Sequence, residues 1–128
     1  MKKVTPVLFV ERIEPALPFW VDRLGFTKVA EVPHEDALGF VILVKDGVEL
    51  MYQTRASVAA DIPPLGQTPM GGTFLFIEVE DVDAVERALD GIEPVVPRRK
   101  TFYGADEVVV REPCGNVVIF AQMAGEEG

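Results

Sequence analysis

Two hairpins of the same build constrain this chain more than any other feature. Glu107 to Gln122 reads Glu-Val-Val-Val-Arg-Glu-Pro-Cys-Gly-Asn-Val-Val-Ile-Phe-Ala-Gln, two β-branched runs around Glu112-Pro113-Cys114-Gly115. Pro113 presets φ for a type I turn and Gly115 can take the left-handed position after it, so the stretch should fold back on itself. Phe40 to Gln53 repeats the design: apolar strand, polar turn closing on Gly47, apolar strand, Gln. One unit occurring twice leads to the expectation of two similar modules.

The rest of the chain extends the repeat. Val4 to Val10 is a strand candidate, with Pro6 near its start, where a missing N–H is tolerated at a sheet edge. In Glu14 to Leu24, the residues Ala16, Leu17, Trp20, Val21 and Leu24 form one helical stripe; Pro15 and Pro18 lie near the first turn, and Gly25 is a C-cap. Phe26 to Val32 reads as a strand and His34-Glu35-Asp36 as a polar turn. Arg55 to Gly72, with Pro63, Pro64, Pro69, Gly66, Gly71 and Gly72, is expected to be a connector with one short helical turn at Ser57 to Asp61. The pattern then restarts: strand Thr73 to Val79, helix Asp81 to Leu89 capped by Asp81, and an edge pair Val95-Val96 between prolines. Arg98 to Gly104 reads as a basic-aromatic loop leading into the last hairpin.

Composition then limits the function classes. A chain of 128 residues, 48% of them hydrophobic, suits one domain, with a first module at 4–54, a linker at 55–72, a second module at 73–122 and an acidic tail at 123–128. No apolar run approaches the ~20 residues that span a bilayer, and Met1-Lys2-Lys3-Val4 opens no long apolar segment, so a cytoplasmic protein without a signal peptide is expected. The single cysteine, Cys114, excludes an internal disulfide and a cysteine zinc site. A formal charge of −9 opposes nucleic acid or an anionic membrane as partner and attracts a cationic ligand; it equally serves solubility.

Two strand–helix–three-strand units, the run Phe19-Trp20-Val21-Asp22-Arg23-Leu24-Gly25-Phe26, and Arg111-Glu112-Pro113-Cys114-Gly115-Asn116 before the last strand together resemble the vicinal oxygen chelate superfamily. That group includes glyoxalase I, extradiol dioxygenases, fosfomycin resistance enzymes and bleomycin resistance proteins. The resemblance covers about Val4 to Gln122. It implies an α+β fold, two βαβββ modules forming a curved, open eight-stranded cup, with a ligand inside and often a homodimer around it. Pro6 would then mark the hinge of an exchanged arm.

Metalloenzymes of that superfamily take one metal ligand from the first and last strand of each module. Carried over, those positions are Thr5, Met51, Phe74 and Ile119, none of them a good ligand for a hard or borderline cation. No metal, no cofactor and no catalytic residue is therefore expected. Glu49 shares a strand face with Met51, but one carboxylate does not make a site. His34 is the only histidine and reads as a surface group; Cys114 lacks a neighbouring base; Arg98-Arg99-Lys100 reads as a solvated run rather than a phosphate clamp.

The cup is the better candidate. Alternation places Phe9, Glu49, Met51, Gln53, Phe74, Phe76 and Ile119 on the face that lines it, with Phe40 and Tyr103 beside them. These residues form either core or a pocket for an aromatic or cationic ligand. Among relatives the bleomycin resistance proteins, which are small, acidic, dimeric and sequester a cationic drug, are most similar. Val29 and Ala30 stand where those proteins place ligand-facing groups. Two functions follow: a metal-independent protein that sequesters a small molecule such as a drug, or a lyase, isomerase or dioxygenase with a non-standard metal site.

Overall fold

The computed structural model describes residues 1–125 of the chain. It divides into a first unit, Met1–Gly71, and a second that begins at Gly72. The first holds strands β1 (Val7–Val10), β2 (Thr27–His34), β3 (Ala37–Lys45) and β4 (Val48–Thr54) in the order β1-β4-β3-β2. The second holds β5 (Phe74–Glu78), β6 (Val96–Lys100), β7 (Ala105–Arg111) and β8 (Val117–Met123) in the order β5-β8-β7-β6. In both sheets the first strand runs parallel to the last and the other pairs are antiparallel. The repeat is thus present strand for strand, and the fold is α+β with few helices. Of the expected tail, residues 126–128 lie outside the described residues, and Met123 belongs to β8, paired with Ala105.

Alternation sorts each sheet into a buried and a more open face. In the first unit Leu8, Val10, Val41, Leu43, Leu50 and Tyr52 are all at most 2% exposed. Each contributes ~1.5–3 kcal/mol by leaving water. Trp20 closes this face, donating its indole N–H to the Tyr52 hydroxyl at 2.7 Å and meeting Phe19 and Phe26 edge-on at 5.0 Å.

The segment expected to be one α-helix from Glu14 to Leu24 is a 3-10 turn, Glu14–Ala16, followed by a π turn, Pro18–Arg23. Pro18 has no N–H to give the Glu14 carbonyl, so an α-ladder cannot run through it. The wider turn, closed by Leu24 N–H to the Phe19 carbonyl at 3.3 Å, buries Phe19, which lies outside the expected stripe. Helix α1 (Arg55–Asp61) is longer than the expected turn because Thr54 caps it, accepting from the Ser57 N–H at 3.2 Å. Asp81 caps α2 (Val82–Ala88) as expected, accepting from the Ala84 N–H at 3.2 Å.

The basic stretch departs most from expectation. Arg98, Arg99 and Lys100 lie in the edge strand β6 rather than in a loop, with a bulge between Val96 and Arg99 that accommodates Pro97. Arg98 is neither solvated nor a clamp for phosphate: it bonds Asp106 on β7 at 2.9 and 3.0 Å, and Asp83 and Glu86 on α2 at 2.6 and 3.0 Å. These carboxylates push its pKa further up, and the Arg98 guanidinium in turn holds that of Asp106 down.

Candidate functional site

The last hairpin sets the register of the second sheet. Glu112, 1% exposed, accepts the N–H groups of Cys114 at 2.9 Å and Asn116 at 2.7 Å, while Gly115 takes φ 94°. Asn116 in turn accepts the Thr73 N–H at 3.2 Å, tying the turn to the approach of β5. With Arg111 held opposite Val117, period two places Val109 opposite Ile119 and Glu107 opposite Ala121. β5 adds Phe74 beside Val117, Phe76 beside Ile119 and Glu78 beside Ala121. The open face therefore carries two complete rows: Phe76–Ile119–Val109–Val96 and Glu78–Ala121–Glu107–Arg99.

Tyr103, in the turn between β6 and β7, reaches back over the second row. Its hydroxyl donates to Glu107 Oε1 at 2.5 Å, its ring lies 6.4 Å from that of Phe76, and Phe102 meets it edge-on at 5.2 Å. The bond to Glu107 raises the Tyr103 pKa, and the nearby Arg99 charge offsets part of the rise. Glu107 is 1% exposed and its Oε2 accepts from Arg99 Nε at 3.1 Å. The aromatic side chains above remain open: Phe74 is 69% exposed, Phe76 49% and Tyr103 44%.

In the first unit the candidate residues also share a face. Phe9, Gln53 and Phe40 form one row across β1, β4 and β3; Val7, Met51 and Ile42 form the next, and Glu49 pairs with Val44 beyond it. Most of these groups already have partners. Arg55 sits 5.2 Å over the Phe9 ring, Gln53 donates to Ser57 Oγ at 3.0 Å, and Glu49 accepts from Lys3 at 2.5 Å. Phe40, between Val32 and Gln53, and Met51, between Val7 and Ile42, are half-buried.

The sequence reading missed Glu107, Arg99 and Arg55. Glu107 heads an apolar run, Val108-Val109-Val110, that shows no alternation, so only the hairpin register reveals which way it faces. Arg99 is hidden because Arg98 to Gly104 reads as a loop, whereas Arg99 lies in β6 opposite Glu107. His34 ends β2 with Glu35 at 4.0 Å, and the Cys114 thiol is pushed up to about 12 by burial and the Glu112 carboxylate, which leaves it a poor nucleophile.

A sequence profile of the glyoxalase/bleomycin resistance protein/dioxygenase superfamily matches residues 4–120. The chain belongs to this superfamily. Solved structures agree in fold. Lactoylglutathione lyase from Agrobacterium tumefaciens shares 19% identity at a TM-score of 0.74, covering 95% of this chain and 94% of its own. The bleomycin-binding protein from bleomycin-producing Streptomyces verticillus, complexed with copper(II)-bleomycin, shares 23% at 0.66, with coverages of 95% and 96%. TnmS3, an antibiotic binding protein from Streptomyces sp. CB03234, shares 22% at 0.66, with coverages of 97% and 99%. No curated protein sequence matches the chain. Among the described residues no helix is long and apolar enough to cross a membrane.

The metal that superfamily enzymes hold does not fit the residues present. Met51 lies between Val7 and Ile42, Ile119 between Phe76 and Val109, and Phe74 beside Val117. These rows offer no imidazole or carboxylate, and the nearest acid in the first unit, Glu49, is taken by Lys3. Among the described residues no three His, Cys, Asp or Glu side chains converge on a point that could hold an ion.

Proposed function

We propose that this superfamily member is a metal-independent binding protein that sequesters a small aromatic molecule, such as a drug, and acts as a homodimer in the cytoplasm. The observation that carries the reading is the group Phe74, Phe76 and Tyr103, open to solvent above a sheet face whose carboxylate is already satisfied. Exposed aromatic clusters of this kind mark surfaces that take up a ligand or partner. The bond from Tyr103 to Glu107 positions that ring in advance, which lowers part of the ordering cost of binding. Two proteins of similar structure, the Streptomyces verticillus bleomycin-binding protein and the antibiotic binding protein TnmS3, favour a drug-like occupant here. The formal charge of −9 brings a cationic ligand toward the molecule at long range, which places bleomycin among the compounds to test. Dimerisation is supported by the edge strands of the two sheets, β1 and β2 in one and β5 and β6 in the other, which a second copy could cover.

The test is calorimetric titration of EDTA-treated protein with bleomycin and with uncharged planar aromatics, alongside light scattering at micromolar concentration. Binding without added metal is expected, and Tyr103→Ala should weaken it about tenfold, the equivalent of ~1.4 kcal/mol of stacking. A monomer in scattering removes the dimer. Binding or turnover that appears only on addition of a divalent metal replaces the sequestering reading with the enzyme reading.

A further inference from the structure

The two charges beneath the aromatic cluster of the second unit are not equally available. Glu107 is 1% exposed and engages both oxygens, one with Tyr103 and one with Arg99, so a ligand reaches it only by breaking that arrangement. The Arg99 side chain is 55% exposed. Its Nε and Nη2 are directed at Glu107, and among the described residues it meets no other carboxylate. A guanidinium offers five N–H groups in a fixed fork, so one edge can be held by Glu107 while the outer edge stays free for a second planar anion. Glu78, the exposed carboxylate of this face, lies in the same row but two strands away from Glu107, on the order of 10 Å.

We infer that this face selects a planar aromatic carboxylate, its ring laid against Tyr103 and Phe76 and its carboxylate bound by the outer edge of the Arg99 fork. The inference rests on the aromatic-site reading above and names its ligand class. Glu107 is the positioning residue: one buried carboxylate fixes both the Tyr103 ring and the Arg99 fork before the ligand arrives. The geometry suits the ligand. The Phe76 and Tyr103 centroids are 6.4 Å apart at a tilt of 54°, a contacting pair, so the ligand ring lies across their exposed sides rather than between them. The overall negative charge of the chain does not decide the matter, because its field is screened over ~8 Å at physiological salt, whereas a charge-assisted hydrogen bond acts at contact.

Three probes of one shape and different charge test this: naphthoate, naphthamide and naphthylmethylammonium, titrated into the full chain by calorimetry. Naphthoate should bind roughly tenfold more tightly than the ammonium probe, with the amide between them. Arg99→Gln should bring naphthoate down to the amide, while Arg111→Gln, on the same face two rows away, should leave the preference in place. A thermal melt establishes that the Arg99→Gln protein is folded. If it is not, Arg99→Lys, which keeps the charge and loses the fork, should reduce the preference without abolishing it. An ammonium probe that binds as well as naphthoate, or a preference that survives loss of Arg99, overturns the inference. If the amide binds with no charge preference, only this inference falls; if none of the three binds, the aromatic-site reading falls with it.

Discussion

Glu112 should be the residue whose loss most disturbs the second unit per atom removed. Its side chain is 1% exposed and one oxygen accepts two backbone N–H groups, Cys114 at 2.9 Å and Asn116 at 2.7 Å. Glu112→Ala leaves both donors without that acceptor. Asn116 is buried, so its N–H bears a desolvation cost of ~1–3 kcal/mol, while Cys114 is half-buried and water can recover part of its loss. The sum is about 2–4 kcal/mol. Glu112→Gln keeps a carbonyl oxygen of the same reach and loses only the charge assistance, about 1 kcal/mol. For a chain of this size each kcal/mol corresponds to about 4 °C in Tm, so the alanine variant should melt roughly 8–16 °C lower and the glutamine variant roughly 4 °C lower. Circular dichroism melts at neutral pH measure both. If the two variants melt together, or if alanine lies within about 2 °C of wild type, the carboxylate does not hold the turn and the register argument for Glu107 loses its support.

Three further outcomes follow from the structure. Arg98→Met should cost about 1–3 kcal/mol at neutral pH, read by urea unfolding, because it leaves Asp106 without its partner. Since Arg98 depresses Asp106 below its ordinary value of 3.8, that stabilisation is present at neutral pH and is lost as pH falls through the lowered folded value; the variant should lack this part of the acid sensitivity. Cys114, raised to about 12, should react with iodoacetamide at mildly alkaline pH much more slowly in the native protein than in urea; equal rates would contradict its burial. Arg55→Ala should speed proteolytic cleavage within residues 62–72, because Arg55 donates to the Gly66 carbonyl and, at 3.1 Å, to that of Thr68; unchanged cleavage would show that the segment is held by other contacts.

The strands were legible because their signals are local. Strand period two, counted from the turn at Gly47, separates Leu43, Leu50 and Tyr52 from Ile42, Met51 and Gln53 even though the run Val41 to Val44 is apolar throughout, and the duplicated hairpins fix the pairing that turns this into two sheets. Helix type was not legible. The stripe Ala16, Trp20, Leu24 is the same in an α or a π turn, and only the missing N–H of Pro18 distinguishes them. The polar part of the candidate site was hidden for a different reason: Glu107, Arg99 and Tyr103 meet across a bulge and a turn, where neither period two nor any motif spacing carries information.

Net charge and the groups on the open faces act on a ligand over different ranges. A formal charge of −9 describes the field far from the molecule, yet two of the carboxylates on the candidate faces are already paired, Glu49 with Lys3 and Glu107 with Arg99, while Glu78 stays exposed. Phe9 likewise already has a guanidinium over its ring, that of Arg55, in the position a cationic ligand would take. A cation arriving at Glu49, Glu107 or Phe9 must therefore displace an internal one, and its gain there is the difference between two similar interactions. An aromatic carboxylate at Arg99 displaces nothing, since it meets N–H groups that face water. Long-range attraction and contact recognition thus oppose each other in this chain, so raising the salt concentration should weaken the approach of cations and leave the preference for a carboxylate at Arg99 largely unchanged.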